Sequence, residues 1–448
     1  MNNKLYKIIS IMIFICLSFV ACDNETTNNN NLEVNVPGST LVEKLDWINN
    51  NAKSNTTYLI MLENNESLNP YILYYNENTN VIIRINGNGK NITLLSYGSL
   101  FTIRNGVTLL LNGNLTLRGG TNNTAALVTI NSGGALKIYD GIRIINNENS
   151  SPSEGGTDVA GGGVHVVGGT FTMEGGEISG NASCYGGGVT VRNNGVFIMK
   201  KGEVSRNSAS YNGGGVDIIY NGAFTMEGGK ISNNNAESGG GGVHVRSSGT
   251  FNMSGGEITN NTGKYGGGGV DVLGGDFIMN GGLISYNTAT NFFGGGVDLY
   301  GTFTMNGGEI SFNTSDRSGG GIYVSSGTFI MNNGEISDNS SSSGGGVYDY
   351  IGTVIIKGGE IIRNTASSYG GGIYIGGDAI FSKSGGGTIA GYANTMNGNV
   401  VKSYGSVQNN RGHAVYVNST PAKRRENTAG PSMNLDSSQD GLVGGWEN

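Results

Sequence analysis

Asp271 and Asp298 occupy the same place in two copies of one short sequence, Gly-Gly-Gly-Val-Asp-Val and Gly-Gly-Gly-Val-Asp-Leu. If those copies stack as neighbouring parallel strands, the two carboxyls stand roughly 5 Å apart. Like charges that close raise a pKa or recruit a cation. Two carboxylates about 5–5.5 Å apart are also what retaining glycoside hydrolysis uses. The same strand position recurs along the chain as Thr102, Thr129, His165, Thr190, Asp217, His244, Asp271, Asp298, Tyr323, Tyr348, Tyr374 and Tyr416. This column divides into an acidic and histidine segment and a tyrosine segment. Residues Asp217 to Tyr416 of it are the candidate ligand-binding face. Tyrosines in a row can stack on sugar faces, because the ring is apolar and its rim polar. The plainer expectation is a solvated strand face, with tyrosines that simply steady the sheet.

A second column holds Glu177, Glu203, Glu257, Glu309, Glu335 and Glu360, interrupted by Lys230 and Leu283. Lys230 relieves repulsion between its glutamate neighbours. Calcium could do the same at Glu309, Glu335 and Glu360; solvated charges that block edge-to-edge aggregation are the plainer reading. No nucleotide loop, zinc spacing, serine triad or nonapeptide calcium repeat is present, so no catalytic residue and no metal ligand set is assigned.

The elements that position these residues follow from a repeat. Phe171, Phe197, Phe224, Phe251, Phe277, Phe303 and Phe329 fall 26 or 27 residues apart, and a methionine follows each by two. An asparagine closes each unit, at Asn181, Asn207, Asn234, Asn261, Asn287, Asn313, Asn339 and Asn364. Fixed self-similarity of this kind marks a solenoid. Each unit carries three short apolar alternations, such as Val164-His165-Val166, Phe171-Thr172-Met173 and a segment centred on Ile178. Alternation at period two puts the apolar residues on one face. Glycines at the corners supply the turns. No apolar set recurs at helical spacing, and propeller blades need longer units. The expected fold is all-β: a right-handed parallel β-helix, three-sided, of about 12 coils and ~55–60 Å in length. In it the asparagines form a hydrogen-bonded ladder.

Composition agrees. Of 448 residues 81 are glycine and only 5 proline, which excludes collagen. The formal charge is −7 and charged residues make up 13%. No basic patch is large enough to neutralise a phosphate backbone, so nucleic acid is not an expected partner.

The first residues read as a targeting segment. Lys4 and Lys7 precede an apolar run from Ile8 to Val20, 13 residues long. That is short of the ~20 needed to span a bilayer and fits a secretory signal. The run ends Phe19-Val20-Ala21-Cys22, which resembles a bacterial lipobox with Cys22 as the acylated residue. The lipid would anchor the chain to a membrane of the cell envelope. Outer-membrane or surface placement is expected, although Asp23 resembles an inner-membrane retention signal. Residues 1–21 are thus the signal, 22–38 a flexible tether, 39–98 a cap helix with the first coils, 99–417 the Gly-rich β-helix, and 418–448 a polar tail. The helix spans Ser39 to Ala52, with Leu41, Leu45 and Ile48 on one face, and covers the exposed end of the first coil. Cys16 leaves with the signal and Cys22 takes lipid, so Cys184, in what reads as a variable turn, has no disulfide partner.

The units Gly-Gly-Gly-Val/Ile and Ile-Ser-x-Asn, over residues 160–375, resemble the paired GGA(I/L/V) and FxxN motifs of polymorphic outer-membrane protein (Pmp) repeats. Here Gly replaces the motif's Ala, and Ile usually replaces its Phe. The whole layout is also similar to repeat lipoproteins of the spirochaete type. The resemblance implies display and adhesion, with lipid in place of the barrel anchor of those proteins and host or environmental glycans or proteins as partners. The expected function is an adhesin-like or structural surface scaffold rather than an enzyme. The alternatives are a carbohydrate-active β-helix enzyme, whose pectin-cleaving relatives carry NTD, DD, GHG and RIK motifs absent here, and a passive glycan- or cation-binding module.

Overall fold

Short alternating segments bury one face only when another segment covers them, and this chain covers each with its own next turn. In the computed structural model, which describes residues 32–150, 161–383, 386–391, 396–407 and 413–418, the first coils run through three strands and those from Ala182 on through four. In a central coil these are Val189–Arg192, Val196–Met199, Glu203–Ser205 and Ser208–Asn212. Strands of each kind stack in register on those of the next coil. The result is a valine sheet of 13 strands, a phenylalanine sheet of 14, an isoleucine sheet of 13 and a fourth sheet of 10. The protein is a parallel β-solenoid of about 13 turns.

Like stacks on like in the core. Phe251 lies between Phe224 and Phe277, with ring centroids 4.9 and 4.8 Å away and planes within 6°. The phenylalanines and methionines of these coils are fully buried. The asparagine ladder runs through the corner after the isoleucine sheet. Each Oδ1 accepts from the backbone N–H and the Nδ2 of the asparagine one coil earlier, as Asn287 does from Asn261 at 2.9 and 3.0 Å. Each Nδ2 also donates to a carbonyl of the coil before, Asn287 to Ile258 O at 2.8 Å. The ladder is longer than the eight residues read from the repeat. Asn123 and Asn147 extend it at one end and Asn399 at the other.

The fourth sheet is a structural addition to the three alternations. It begins at Ala182–Tyr185, so Cys184 sits on a strand where a turn was expected. Its signal in the sequence is a small residue two places after each ladder asparagine, from Ser183 and Ala209 to Ala366. Small side chains let this strand fold back tightly through the glycine triplet onto the valine sheet. Gly187 shows why glycine is required: a Cβ there would lie 2.4 Å from Ser208 O. We call this layer the flap sheet.

The helix spans Leu41–Asn51 and buries Leu41, Leu45 and Ile48 against the first coil. Thr40 caps it by accepting from Glu43 N–H at 3.2 Å, and Glu43 Oε2 accepts from Ser39 and Thr40 N–H. Those backbone donors, Ser39 first, hold the Glu43 carboxyl below its ordinary range. Thr40→Ala is expected to cost about 1 kcal/mol, read as a lowered urea midpoint with early loss of amide protection over Leu41–Asn51. Part of the segment read as tether is ordered. Leu32–Asn35 pairs in parallel with Thr56–Met61 and covers the open edge of the phenylalanine sheet. Its Leu-x-Val alternation suits an edge strand, and an uncovered edge there would bind other chains. Residues 1–31, with Cys22 and Asp23, lie outside the described residues, as does the tail beyond 418.

Candidate functional site

The outward column of the valine sheet forms as expected. Register pairs Thr190 with Asp217, Asp217 with His244, His244 with Asp271, Asp271 with Asp298, and Asp298 with Tyr323. Tyr323, Tyr348, Tyr374 and Tyr416 continue it. The expected solvated face does not. The flap sheet lies over the column, leaving Asp217 and His244 at 0% exposure, Asp298 at 1% and Asp271 at 8%. Local contacts show the cover: Thr190 Oγ1 donates to Tyr185 O at 3.2 Å, and a Cβ on Gly239 would strike the Asp271 carboxyl. The position turns outward from the core, yet a second layer seals it.

Charges inside the sealed layer are arranged unevenly. Asp217 Oδ1 lies 2.8 Å from His244 Nδ1, and Arg246 Nη2 donates to Asp217 Oδ2 at 3.2 Å. Arg246 in turn stacks 4.6 Å over the Tyr185 ring, part of the flap. Burial pushes the Asp217 carboxyl up, but the hydrogen bonds and charges of His244 and Arg246 together hold it below its ordinary range. Asp271 has no such partner. His244 Nε2 is 3.9 Å from its Oδ2, beyond hydrogen-bond reach. Burial raises Asp271, and raises Asp298 further with the help of the Asp271 charge. Asp298 Oδ1 and His244 Nε2 are buried without a hydrogen-bond partner. Asp271 and Asp298 are thus the adjacent pair expected from sequence, with both carboxyls pushed up by burial beneath the flap. In this conformation no polymer can reach them, so the geometry does not support their use as a glycosidase pair.

The tyrosines are likewise spent on one another. Tyr348 and Tyr374 stack at 4.4 Å with planes 4° apart, and Tyr323 is closed from the other side by Phe293 at 4.3 Å. Tyr323 is 5% exposed and Tyr374 8%. The faces of Tyr323 and Tyr374 are thus taken up by neighbouring rings, while Tyr348 and Tyr416 stay half-buried in the same stack.

The glutamate column behaves as solvated charge with local pairs. Glu177 accepts from Arg143 and Arg206 at 2.9 and 2.7 Å, and Lys230 lies 3.3 Å from Glu257. Glu309, Glu335 and Glu360 line an open groove of about 570 Å³ with the corner glycines. Arg363 occupies Glu335 at 2.9 Å and also holds Asp338. Among the described residues no three acidic, histidine or cysteine side chains converge on a point where a metal ion could sit. The geometry therefore does not support the calcium site considered for these glutamates. No described helix is long and apolar enough to cross a membrane.

One break in the repeat was not singled out by the sequence reading. Tyr286 and Phe312 stack at 5.0 Å on the exposed corner before the asparagine ladder. They were missed because that position varies freely from unit to unit.

No protein-family model, no curated protein and no solved structure matches the chain.

Proposed function

We propose that the chain is a lipid-anchored envelope protein that serves as an adhesin-like or structural display scaffold. The observation that supports this best is the regular stacking of the coils, with the valine sheet's polar column buried from Thr190 through Tyr323. Catalytic sites need an open cleft that breaks such regularity, and the acidic pair has none. A solenoid instead offers long, nearly repeating surfaces that hold contacts at a fixed spacing. The signal-like segment and Cys22 supply the anchor in this reading, placing the rod at a membrane through acyl chains.

Changing Cys22 to Ser is expected to move the chain from the membrane to the soluble fraction, with its circular dichroism unchanged. Protease treatment of intact cells should then shave the wild-type chain. A Cys22→Ser chain that stays with the membrane would overturn the anchor, and full protection of the wild type would overturn surface display.

A further inference from the structure

The residue before each ladder asparagine adopts a left-handed backbone. It is Gly180, Arg206, Asn233, Asn260, Tyr286, Phe312, Asp338 and Arg363 in successive coils, with φ between +54° and +64°. Glycine and asparagine tolerate that conformation, and bulky rings do so poorly. Tyr286 and Phe312 hold it at +55° and +56° while 55% and 45% exposed. Burial does not account for them, and a stretch of chain that accepts strain for exposed rings points to function.

A neighbouring column breaks at the same coils. Leu283 stands where the other coils from Glu177 to Glu360 carry Glu or Lys. The two columns touch across one coil step: Arg206 reaches Glu177 at 2.7 Å and Arg363 reaches Glu335 at 2.9 Å. Phe312 and Leu283 hold the equivalent positions one coil step apart, as Arg206 and Glu177 do. Three departures thus combine into one apolar patch on an acidic face, edged by Glu257, Glu309 and Asp338. The rings lie with planes 5° apart, so each spends one face on the other. The opposite faces point along the rod, toward the Asn260 coil and the Asp338 coil.

We propose that Tyr286, Phe312 and Leu283 form a saccharide subsite that takes an uncharged pyranose. It deepens the scaffold reading and rests on it, by naming what the displayed surface holds. The carbon-bound hydrogens of a sugar face pack on an aromatic ring, and the surrounding carboxylates and Asn260 accept from or donate to its hydroxyls. The acidic surround repels uronic acids, so pectin-like polymers are excluded.

The chain itself supplies the control substitution, because Asn233 and Asn260 hold this position at +56° and +55°. Calorimetric titration of the purified Cys22→Ser chain with cellohexaose, chitohexaose and hexagalacturonate is the test. The wild-type site should bind at least one of the two neutral oligomers at millimolar concentration and not hexagalacturonate. Tyr286→Asn with Phe312→Asn should weaken binding about tenfold or more and leave melting unchanged or raised. Leu283→Glu, which restores the column, should weaken it too. Equal binding by the double variant, preference for hexagalacturonate, or no binding of either neutral oligomer by the wild type would overturn the proposal. So would a fall in melting of the double variant by more than ~5 °C, which would make the rings structural. Display is read separately, by fractionation and shaving, so either idea can fail alone.

Discussion

Replacing Asn287 by alanine is expected to destabilise the solenoid by about 2–6 kcal/mol, because at least two buried backbone groups lose a partner at about 1–3 kcal/mol each. Asn287 Oδ1 accepts from Asn261 N–H, and its Nδ2 donates to Ile258 O and to Asn313 Oδ1. All of these atoms are shut off from water at 0–1% exposure of the asparagines. The carboxylate of Asn287→Asp cannot donate, and would face Asn313 Oδ1 as acceptor against acceptor. It is expected to be worse than alanine above pH 5. An internal control exists in the exposed row Asn280, Asn306 and Asn332, whose amides bond at 2.8 and 2.7 Å. Asn306→Ala breaks hydrogen bonds of the same kind but leaves the freed groups in water, and should cost no more than ~0.5 kcal/mol. Urea unfolding separates the two. Asn287 lies mid-array, so the damaged chain should also unfold in two steps, since coils interact only with their neighbours. Equal effects of the Asn287 and Asn306 changes would show that the ladder's burial contributes nothing.

The second large effect is a pH dependence set by Asp349. It occupies an inward position of the valine sheet, in register with Val324 and Ile375, both core residues. One oxygen accepts from Gly352 N–H at 2.9 Å, and the other is buried without a partner. Burial pushes this carboxyl up to about 7. An unfolded aspartate titrates near 3.8, so the native state holds a proton that the unfolded chain releases first. Stability from this group is therefore complete below about pH 4 and falls as pH rises to about 7, by about 4 kcal/mol in all. Asp271 and Asp298 are shifted in the same sense. Asp349→Asn should match the wild type near pH 4 and exceed it by about 4 kcal/mol at pH 8. A constant difference across that range would contradict a protonated carboxyl in the core.

Asp349 also shows where sequence reasoning ran out. Its column is otherwise apolar, and a single inward carboxyl leaves the spacing of the repeat unchanged, so the periodicity carries no mark of it. The coil itself was legible because Phe, Met and Asn recur at one spacing, and stacking then forces every column into register. The cap helix was legible from the Leu41, Leu45, Ile48 face, and the structure adds the Thr40–Glu43 capping box at its start. The candidate site was legible in its order and wrong in its surroundings. Alternation says that Asp217, His244, Asp271 and Asp298 point away from the core, but says nothing of a further layer outside. That layer is written only in the small residues Ser183, Ala209, Ala236 and Ala289, whose spacing follows the asparagines. Tyr286 and Phe312 could have been noticed by asking which residues break a left-handed corner that favours glycine or asparagine, but backbone angles are not visible in a sequence.

Thr172, Thr225, Asn252, Thr304 and Ile355 form one outward column on the phenylalanine sheet, linked by register through each intervening coil. Spin labels at cysteines replacing Thr172 and one other of these, with Cys184 changed to Ser, would report the coil spacing by electron–electron distance measurement. The expected separations grow linearly at ~4.8 Å per coil, to ~24 Å for Thr172 with Thr304 and ~34 Å for Thr172 with Ile355. Distances that do not lengthen step by step along the series would mean that residues 26 apart are not neighbours, and the sealed column, the ladder and the aromatic patch would all fall together.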